Sequence, residues 1–282
     1  MRFLVTGCTS YIAKYVINRL LEQKHTVLGI SRSNPEITHG LFTWVEHDLS
    51  ANPGNIKDPV DIIVHMAAQS LLEKSAEEYI KANILVTRNV KEVALRLKPR
   101  AVIYASSIKI YGEIRDAVVT EETDMVNPDL YGVTKYLGEK LLEEAVPTIS
   151  LRMPGVIAVG SHGWINNIYH LLKRKETISF FDAPYNHVIH AHDIFGIINT
   201  VSQMEKITSD YYNVCAQGMS TSLEVIELMS GCIGCNPEVK IRSTARNIFH
   251  TICNKKLLNI YKPLDVFETM NLYLIQMKTY KE

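Results

Sequence analysis

The residues best suited to moving a proton in this chain are a tyrosine and a lysine. Tyr131 and Lys135 are four positions apart. On a helix they share a face, and an ammonium beside a phenol favours its anion. A chain with 14 tyrosines yields roughly one such spacing by chance, and this one holds three: Tyr131/Lys135, Tyr136/Lys140 and Tyr169/Lys173. Context selects the first. Asn127-Pro128-Asp129 can start a helix just ahead of it, and a strand-like run ending Ala105-Ser106-Ser107 can present a hydroxyl at the carboxyl edge of a sheet. The other two pairs read as solvated helix faces.

The second candidate is Thr6-Gly7-Cys8-Thr9-Ser10-Tyr11-Ile12-Ala13, between an apolar run and an amphipathic one. A dinucleotide site needs small residues there for a tight turn, for backbone approach to a pyrophosphate and for close helix–strand packing. Gly7 supplies the turn and Ala13 suits the packing position. Ser10 stands where a middle glycine is expected, so taken alone the motif also fits an ordinary strand–turn–helix corner.

The elements that must position these residues alternate along the first half of the chain. Strands are expected at Arg2–Thr6, Thr26–Ile30, Phe42–Val45, Asp61–Val64, Ala101–Ala105 and Thr148–Leu151. Helices are expected at Tyr11–Leu21, from about Ala76 to Leu97 where Pro99 ends the run, and at Leu130–Glu144. That rhythm predicts an α/β fold, a doubly wound parallel sheet of Rossmann type covered on both faces. After Leu151 it breaks at Pro154, Gly155, Gly160 and Gly163, and helix returns near Asp193–Ser202. The expected division is a dinucleotide-binding domain over 1–152, with 186–202 returning to it. A small C-terminal α+β substrate lobe takes 153–185 and 203–282.

Composition narrows the classes. The chain has 282 residues, 46% hydrophobic, with 30 basic and 30 acidic side chains. That content builds a core, and zero net charge gives no global attraction to nucleic acid. The longest apolar runs fall far short of the roughly 20 residues that span a bilayer. With no secretion-type apolar segment at the start, the expected place is the cytoplasm. Its five cysteines are then expected to be free thiols. Cys232-x-x-Cys235 lacks a second ligand pair nearby, and His187, His190 and His192 read as satisfied or exposed, so no metal is expected.

Taken in order, these segments resemble the extended short-chain dehydrogenase/reductases, in the group of sugar-nucleotide epimerases, dehydratases and reductases. Thr6-Gly7 through Ala13 matches the glycine motif, Asp48-Leu49 the acid–aliphatic pair at the adenine, and His65-Met66-Ala67-Ala68 the strand end at the cofactor ribose. Asn83 to Thr87, Tyr104 to Gly112, Pro128 to Lys135, Leu151-Arg152 with Pro154-Gly155, His190 to Ile194 and Tyr212-Asn213-Val214 match later markers. The resemblance implies catalysis by Ser107, Tyr131 and Lys135. It implies that a dinucleotide lies against Gly7, Ser10, Tyr11, Ile12, Ser31, Arg32, Ser33, Asp48, Leu49, Ala67, Ala68, Asn83, Tyr131, Lys135 and Pro154. Gln69, Ser107, Tyr131, Gly155 and Asn186 would face the substrate. The apolar faces near Val86–Leu97 and Tyr136–Leu142 would pair across a two-fold in a homodimer.

Three departures refine this. Dehydratases of the group carry an acidic pair just after the catalytic hydroxyl, where this chain has Ile108-Lys109, so dehydration is disfavoured. The second strand ends Ile30-Ser31-Arg32-Ser33 with no acid for a ribose 2′-OH, which favours NADP(H) over NAD(H). Asn186 and His187 stand where relatives often place an arginine on the nucleotide diphosphate. The leading expectation is an NADP(H)-dependent 4-ketoreductase acting on an activated sugar. The alternatives are a nucleotide-sugar 4-epimerase and a non-catalytic dinucleotide-sensing regulator.

Overall fold

The computed structural model describes every residue except 71–73, 115, 243–249 and 281–282. The first half alternates as its apolar runs dictate: β1 (Arg2–Thr6), α1 (Tyr11–Glu22), β2 (Thr26–Ser31), β3 (Phe42–Glu46) and β4 (Ile62–His65). Then come α2 (Ala76–Tyr79), a π-helical segment Ile80–Leu85, and α3 (Val86–Leu97). β5 (Ala101–Ser107) runs into a 3₁₀ turn, Ile108–Tyr111, and the short β6 (Val118–Val119) precedes α4 (Leu130–Glu143). β7 (Thr148–Met153), β8 (Gly155–Ile157), α5 (Trp164–Arg174), β9 (Ile178–Phe180), β10 (Pro184–Tyr185), β11 (Val188–His190) and α6 (Ala191–Gln203) follow. The chain closes with β12 (Asp210–Asn213), β13 (Ser220–Thr221), α7 (Ser222–Ile233), β14 (Val239–Ile241), β15 (Thr251–Ile252) and α8 (Val266–Thr279).

Seven strands form one parallel sheet in the order β12-β7-β5-β4-β1-β2-β3. Both faces are covered, which explains why Phe3, Leu4 and Val5 of β1 are consecutively apolar rather than alternating. Phe3 and Val5 point into the core shared with α1 and α6, and Leu4 into the core shared with α3 and α4. A separate core joins α5, α7 and α8 in the second lobe. Among the described residues no helix is long and apolar enough to cross a membrane.

Two expectations need correction. The long helix from Ala76 to Leu97 is three pieces, because Ile80–Leu85 takes π geometry. Asp210–Asn213 falls within the segment expected in the substrate lobe, yet β12 pairs in register with β7 and extends the main sheet. Helix α6 does pack on the first core through Ile194, Ile197 and Ile198.

Candidate active site

Gly7 begins the site at the carboxyl end of β1. Its φ is +70°, and a Cβ there would stand 2.7 Å from Ala67 Cα. Both facts require glycine: the backbone conformation is left-handed, and β4's continuation passes too close for a side chain. Ser10 has a local use. It is the N-cap of α1, its hydroxyl accepting from Ala13 N at 3.2 Å. Thr6 Oγ1 hydrogen-bonds His65 Nδ1 at 2.7 Å, and His65 Nε2 meets Thr87 Oγ1 at 3.0 Å. Thr87 donates its own proton to Asn83 O, so His65 donates through Nε2 and accepts at Nδ1. Burial and the nearby Lys135 push that imidazole down to about 3, so it is a neutral strut.

A cleft of about 490 Å³ opens at the ends of β1, β2 and β4, lined by Gly7, Ser10, Ser31, Arg32, Ser33, Asp48, Leu49, Ala67, Ala68 and Gln69 among others. Asp48 caps its own turn by accepting from Ser50 N at 2.8 Å, and hydrogen bonds from the Ser50 side chain and backbone, with Arg32 and Lys81 nearby, hold its carboxyl below the usual range. Ser31 is internally engaged: it donates to Ser33 O at 2.7 Å, accepts from Trp44 Nε1 at 3.0 Å and lies 2.9 Å from Cys8 Sγ. Arg32 is exposed at the rim. The Gly7 cradle, the N-terminus of α1 and this cleft fit a dinucleotide.

Asn83 ties the cleft to the proton-moving residues. Its Oδ1 accepts from Gln69 N at 2.7 Å, and its Nδ2 donates to Thr134 Oγ1 at 2.9 Å, one residue before Lys135. The π segment carries Asn83 to that position, a common role for such widened turns. Asp129 caps α4 by accepting from Gly132 N at 2.7 Å, which sets Tyr131 on the first turn. Ser107 lies at the end of β5, and its hydroxyl bonds the Tyr131 phenol, drawing its pKa down while burial pushes it up to about 12. Lys135 is 1% exposed, and burial brings its ammonium down to about 7 against the pull of Glu139. Ser107 and Tyr131 are therefore in contact, and Lys135 lies one helical turn further along α4. The rival pairs differ: Lys140 reaches Glu143 at 2.9 Å beside the Tyr136 ring, and Lys173 stands 6.0 Å from the Tyr169 ring.

A buried ion pair braces this arrangement from below. Glu139 and Arg152 meet at 2.9 Å, with side chains 0% and 6% exposed. Ser106 donates to Glu139, and Arg152 donates to Tyr111 Oη at 3.1 Å, which donates to Asn213 Oδ1 at 2.7 Å. Burial works against the Arg152 charge, but the Glu139 hydrogen bonds outweigh it and hold the guanidinium protonated. Four elements, β5, α4, β7 and β12, are thereby pinned behind the hydroxyls.

A second cavity, about 360 Å³, lies in the C-terminal lobe between Trp164, Phe180, Phe181, Tyr185, His187, Arg242 and His250 among others. The His187 and His250 rings meet tilted by 32° with centroids 4.5 Å apart, and burial lowers both pKa values, His250 to about 4. Arg242 Nε donates to Ser179 Oγ at 2.7 Å. Sequence reasoning missed this cation, since no motif marks the residue that follows β14. Asn186 does not present a free amide: its Oδ1 accepts from Ile252 N at 3.0 Å and its Nδ2 donates to Ile252 O at 2.7 Å. Gly155 pairs with Val188 where the chain leaves the main sheet after Pro154, and neither residue lines the two cavities. Tyr11 ties α1 to β8 by donating to Val156 O at 2.9 Å, while Ile12 packs against the first core.

Fold and cleft define a dinucleotide-binding protein of the short-chain dehydrogenase type. A family model for the NAD dependent epimerase/dehydratase family matches residues 3–215, and the chain belongs to that family. Among curated relatives, an uncharacterized UDP-glucose epimerase, YtcB of Bacillus subtilis, is 24% identical over 93% of each chain. A probable UDP-glucuronate 4-epimerase of Rhizobium meliloti is 28% identical over 54% of this chain and 52% of its own. Among solved structures, the Bordetella bronchiseptica enzyme WbmG in complex with NAD superposes with a TM-score of 0.85 at 19% identity, covering 99% of this chain and 94% of that one. The Bacillus cereus UDP-glucuronic acid 4-epimerase with NAD gives 0.83 at 19% identity, covering 99% of both.

Proposed function

We propose that this protein moves hydride and proton at the C4 position of a nucleotide-linked sugar, as a 4-epimerase. The observation that carries the reading is the Ser107–Tyr131 hydrogen bond, with Lys135 one turn on in α4 and Asn83 linking that helix to Gln69 in the wall of a dinucleotide-shaped cleft. A bound nicotinamide dinucleotide supplies the hydride acceptor and donor that no side chain provides. Tyr131 takes the proton from the sugar hydroxyl in one half-reaction and returns it in the other. Ser107 donates a hydrogen bond to the same oxygen and orients it. Lys135, one helical turn on, stabilises the phenolate by its charge. The nucleotide occupies the second cavity, its base between Trp164, Phe180 and Tyr185 and its diphosphate towards Arg242. The relatives' names support epimerisation over dehydration, and Ile108-Lys109 offers no carboxylate to eliminate water.

A 4-ketoreductase is the second reading, favoured by Arg32 at the rim of the cleft and by the absence of an acid at the end of β2. Both point to the phosphorylated dinucleotide pool. Incubating the protein with UDP-hexoses separates the two. Appearance of the C4 epimer by NMR without net oxidation of NADPH supports the epimerase. Stoichiometric loss of NADPH with a 4-keto-6-deoxy nucleotide sugar, without epimer formation, overturns it in favour of the reductase. The same reading carries a homodimer through α3 and α4, which leave Leu95 and Leu137 exposed, and light scattering reads its mass.

A further inference from the structure

His187 departs from its sequence expectation, being neither exposed nor satisfied. It lines the second cavity, and its Nε2 is buried there with no hydrogen-bond partner among the described residues. A bare polar atom in a cavity wall points to a ligand that completes its bonding. The ring already hydrogen-bonds the His250 backbone. With its one N–H spent on that carbonyl, a neutral ring offers only a lone pair at Nε2. An anion needs a donor there, so it can be met only if the ring gains a proton.

A ladder of rings sets where along the site this atom falls. Trp164 and Tyr185 have centroids 5.1 Å apart, Tyr185 and His187 6.4 Å, and His187 and His250 4.5 Å. Next to His250 comes Lys109, whose charge the imidazole feels, and Lys109 N donates to Ser107 Oγ at 3.2 Å. A nucleotide-linked sugar runs in the same order, from base through diphosphate to sugar. With the base at Trp164 and Tyr185 and the sugar at Ser107, the diphosphate falls at the two histidines. The other ionisable groups around them are Tyr185 on β10, Arg242 after β14 and Lys109 in the 3₁₀ turn. Among the described residues no carboxylate lines the cavity. Burial keeps the Tyr185 phenol protonated and both imidazoles neutral near pH 7, with the facing His187 and Lys109 adding to the effect at His250.

We propose that His187 and His250 form a proton-linked diphosphate site, in which nucleotide binding draws one proton from solvent onto the pair and turns the bare Nε2 of His187 into a donor. Two charged imidazoles this close repel, which limits the uptake to one proton. Binding is then tighter in acid. This rests on the proposed nucleotide-sugar substrate and adds pH control to its site.

The test titrates UDP-glucose into the dinucleotide-loaded protein by calorimetry from pH 5.5 to 8, in buffers of high and low ionisation enthalpy. Epimer formation is followed by NMR in the same samples. UDP-glucose has no group of its own that titrates in this range. Affinity should rise roughly tenfold or more from pH 8 to 5.5, with uptake approaching one proton. Uridine, which lacks phosphate, should show neither effect. His187→Gln keeps a neutral amide and should bind with most of the pH dependence gone, and the double variant with His250→Gln should have none. A pH dependence that is absent from the unmodified protein, equal for uridine, or unchanged in the double variant overturns the proposal. Epimer formation with pH-independent binding sinks the proton linkage alone. Proton-linked binding without epimer removes the epimerase reading and leaves the histidine site standing. No binding of UDP-glucose at any pH overturns both.

Discussion

The ammonium of Lys135 lies 4.1 Å from the centre of the Tyr104 ring, on a fully buried tyrosine whose ring also stacks with His65 at 5.3 Å. A cation over an aromatic face is stabilised by the ring quadrupole. Burial nevertheless outweighs the pull of Glu139 and leaves the Lys135 pKa at about 7.

That depressed value makes Lys135 a cost to the fold. Its charged form is disfavoured in the folded protein relative to the unfolded chain, whose lysine titrates near 10.5. The penalty is complete below about pH 7, shrinks as pH rises from there towards 10.5, and vanishes above. Lys135→Met should therefore melt several degrees higher than the parent at pH 6, about 1 kcal/mol being worth roughly 2–4 °C in a domain of this size. The advantage should narrow by pH 9 in thermal melts followed by circular dichroism. A variant that melts lower at pH 6 contradicts this account.

Tyr131→Phe keeps the ring and removes the proton. Turnover should fall by about 10²–10⁴ while dinucleotide binding persists. Tyr136→Phe and Tyr169→Phe are the controls, with small effects expected in steady-state assays. Comparable losses in all three would remove Tyr131 from its role.

Glu139→Gln should be among the most damaging substitutions distant from the ligands. It leaves Arg152 buried without a counter-charge, and breaking such a pair costs about 3–5 kcal/mol. Chemical denaturation reads that directly. Surface pairs such as Arg19–Glu22 give the contrast, since Glu22→Gln should change stability by less than about 1 kcal/mol.

Arg32→Ala addresses the dinucleotide. The guanidinium stands at the rim of the cleft, and only NADPH brings a phosphate to that end of β2. Fluorescence titration should show NADPH weakened roughly 10–100-fold with NADH little changed. Ser31→Ala should discriminate far less, because that hydroxyl is already engaged with Ser33 and Trp44. Equal weakening of both dinucleotides would detach Arg32 from the 2′ position.

The parallel sheet was legible because its strands are short apolar runs bounded by glycine, proline and polar residues, a local signal. Tyr131, Lys135 and Ser107 were legible for the same reason, being set by spacing within one helix and one strand. What escaped depends on partners far along the chain. Glu139 looks like a surface helix residue until Arg152 and Ser106 arrive around it. Arg242 gains meaning only from Ser179 and the cavity wall. Asn186 looked available to a ligand, and Ile252, 66 residues on, occupies its amide. β12 is too polar, Asp210-Tyr211-Tyr212-Asn213, to announce itself as a sheet strand; pairing with β7 supplies what its pattern lacks.

The π segment between α2 and α3 acts as a phase shifter. Tyr79, before it, meets the Tyr131 ring with centroids 6.1 Å apart, while Val86, Val90, Val93 and Ala94, after it, face the sheet. An α-helix advances about 100° per residue, and a widened turn accommodates one residue more than the regular spiral. Removing any single residue from Ile80–Leu85 would let the three pieces fuse into one regular helix, at the expense of rotating one end against the other. Such a shortened chain could keep its apolar stripe on the sheet or keep Tyr79 and Asn83 beside the catalytic residues, but it could not do both.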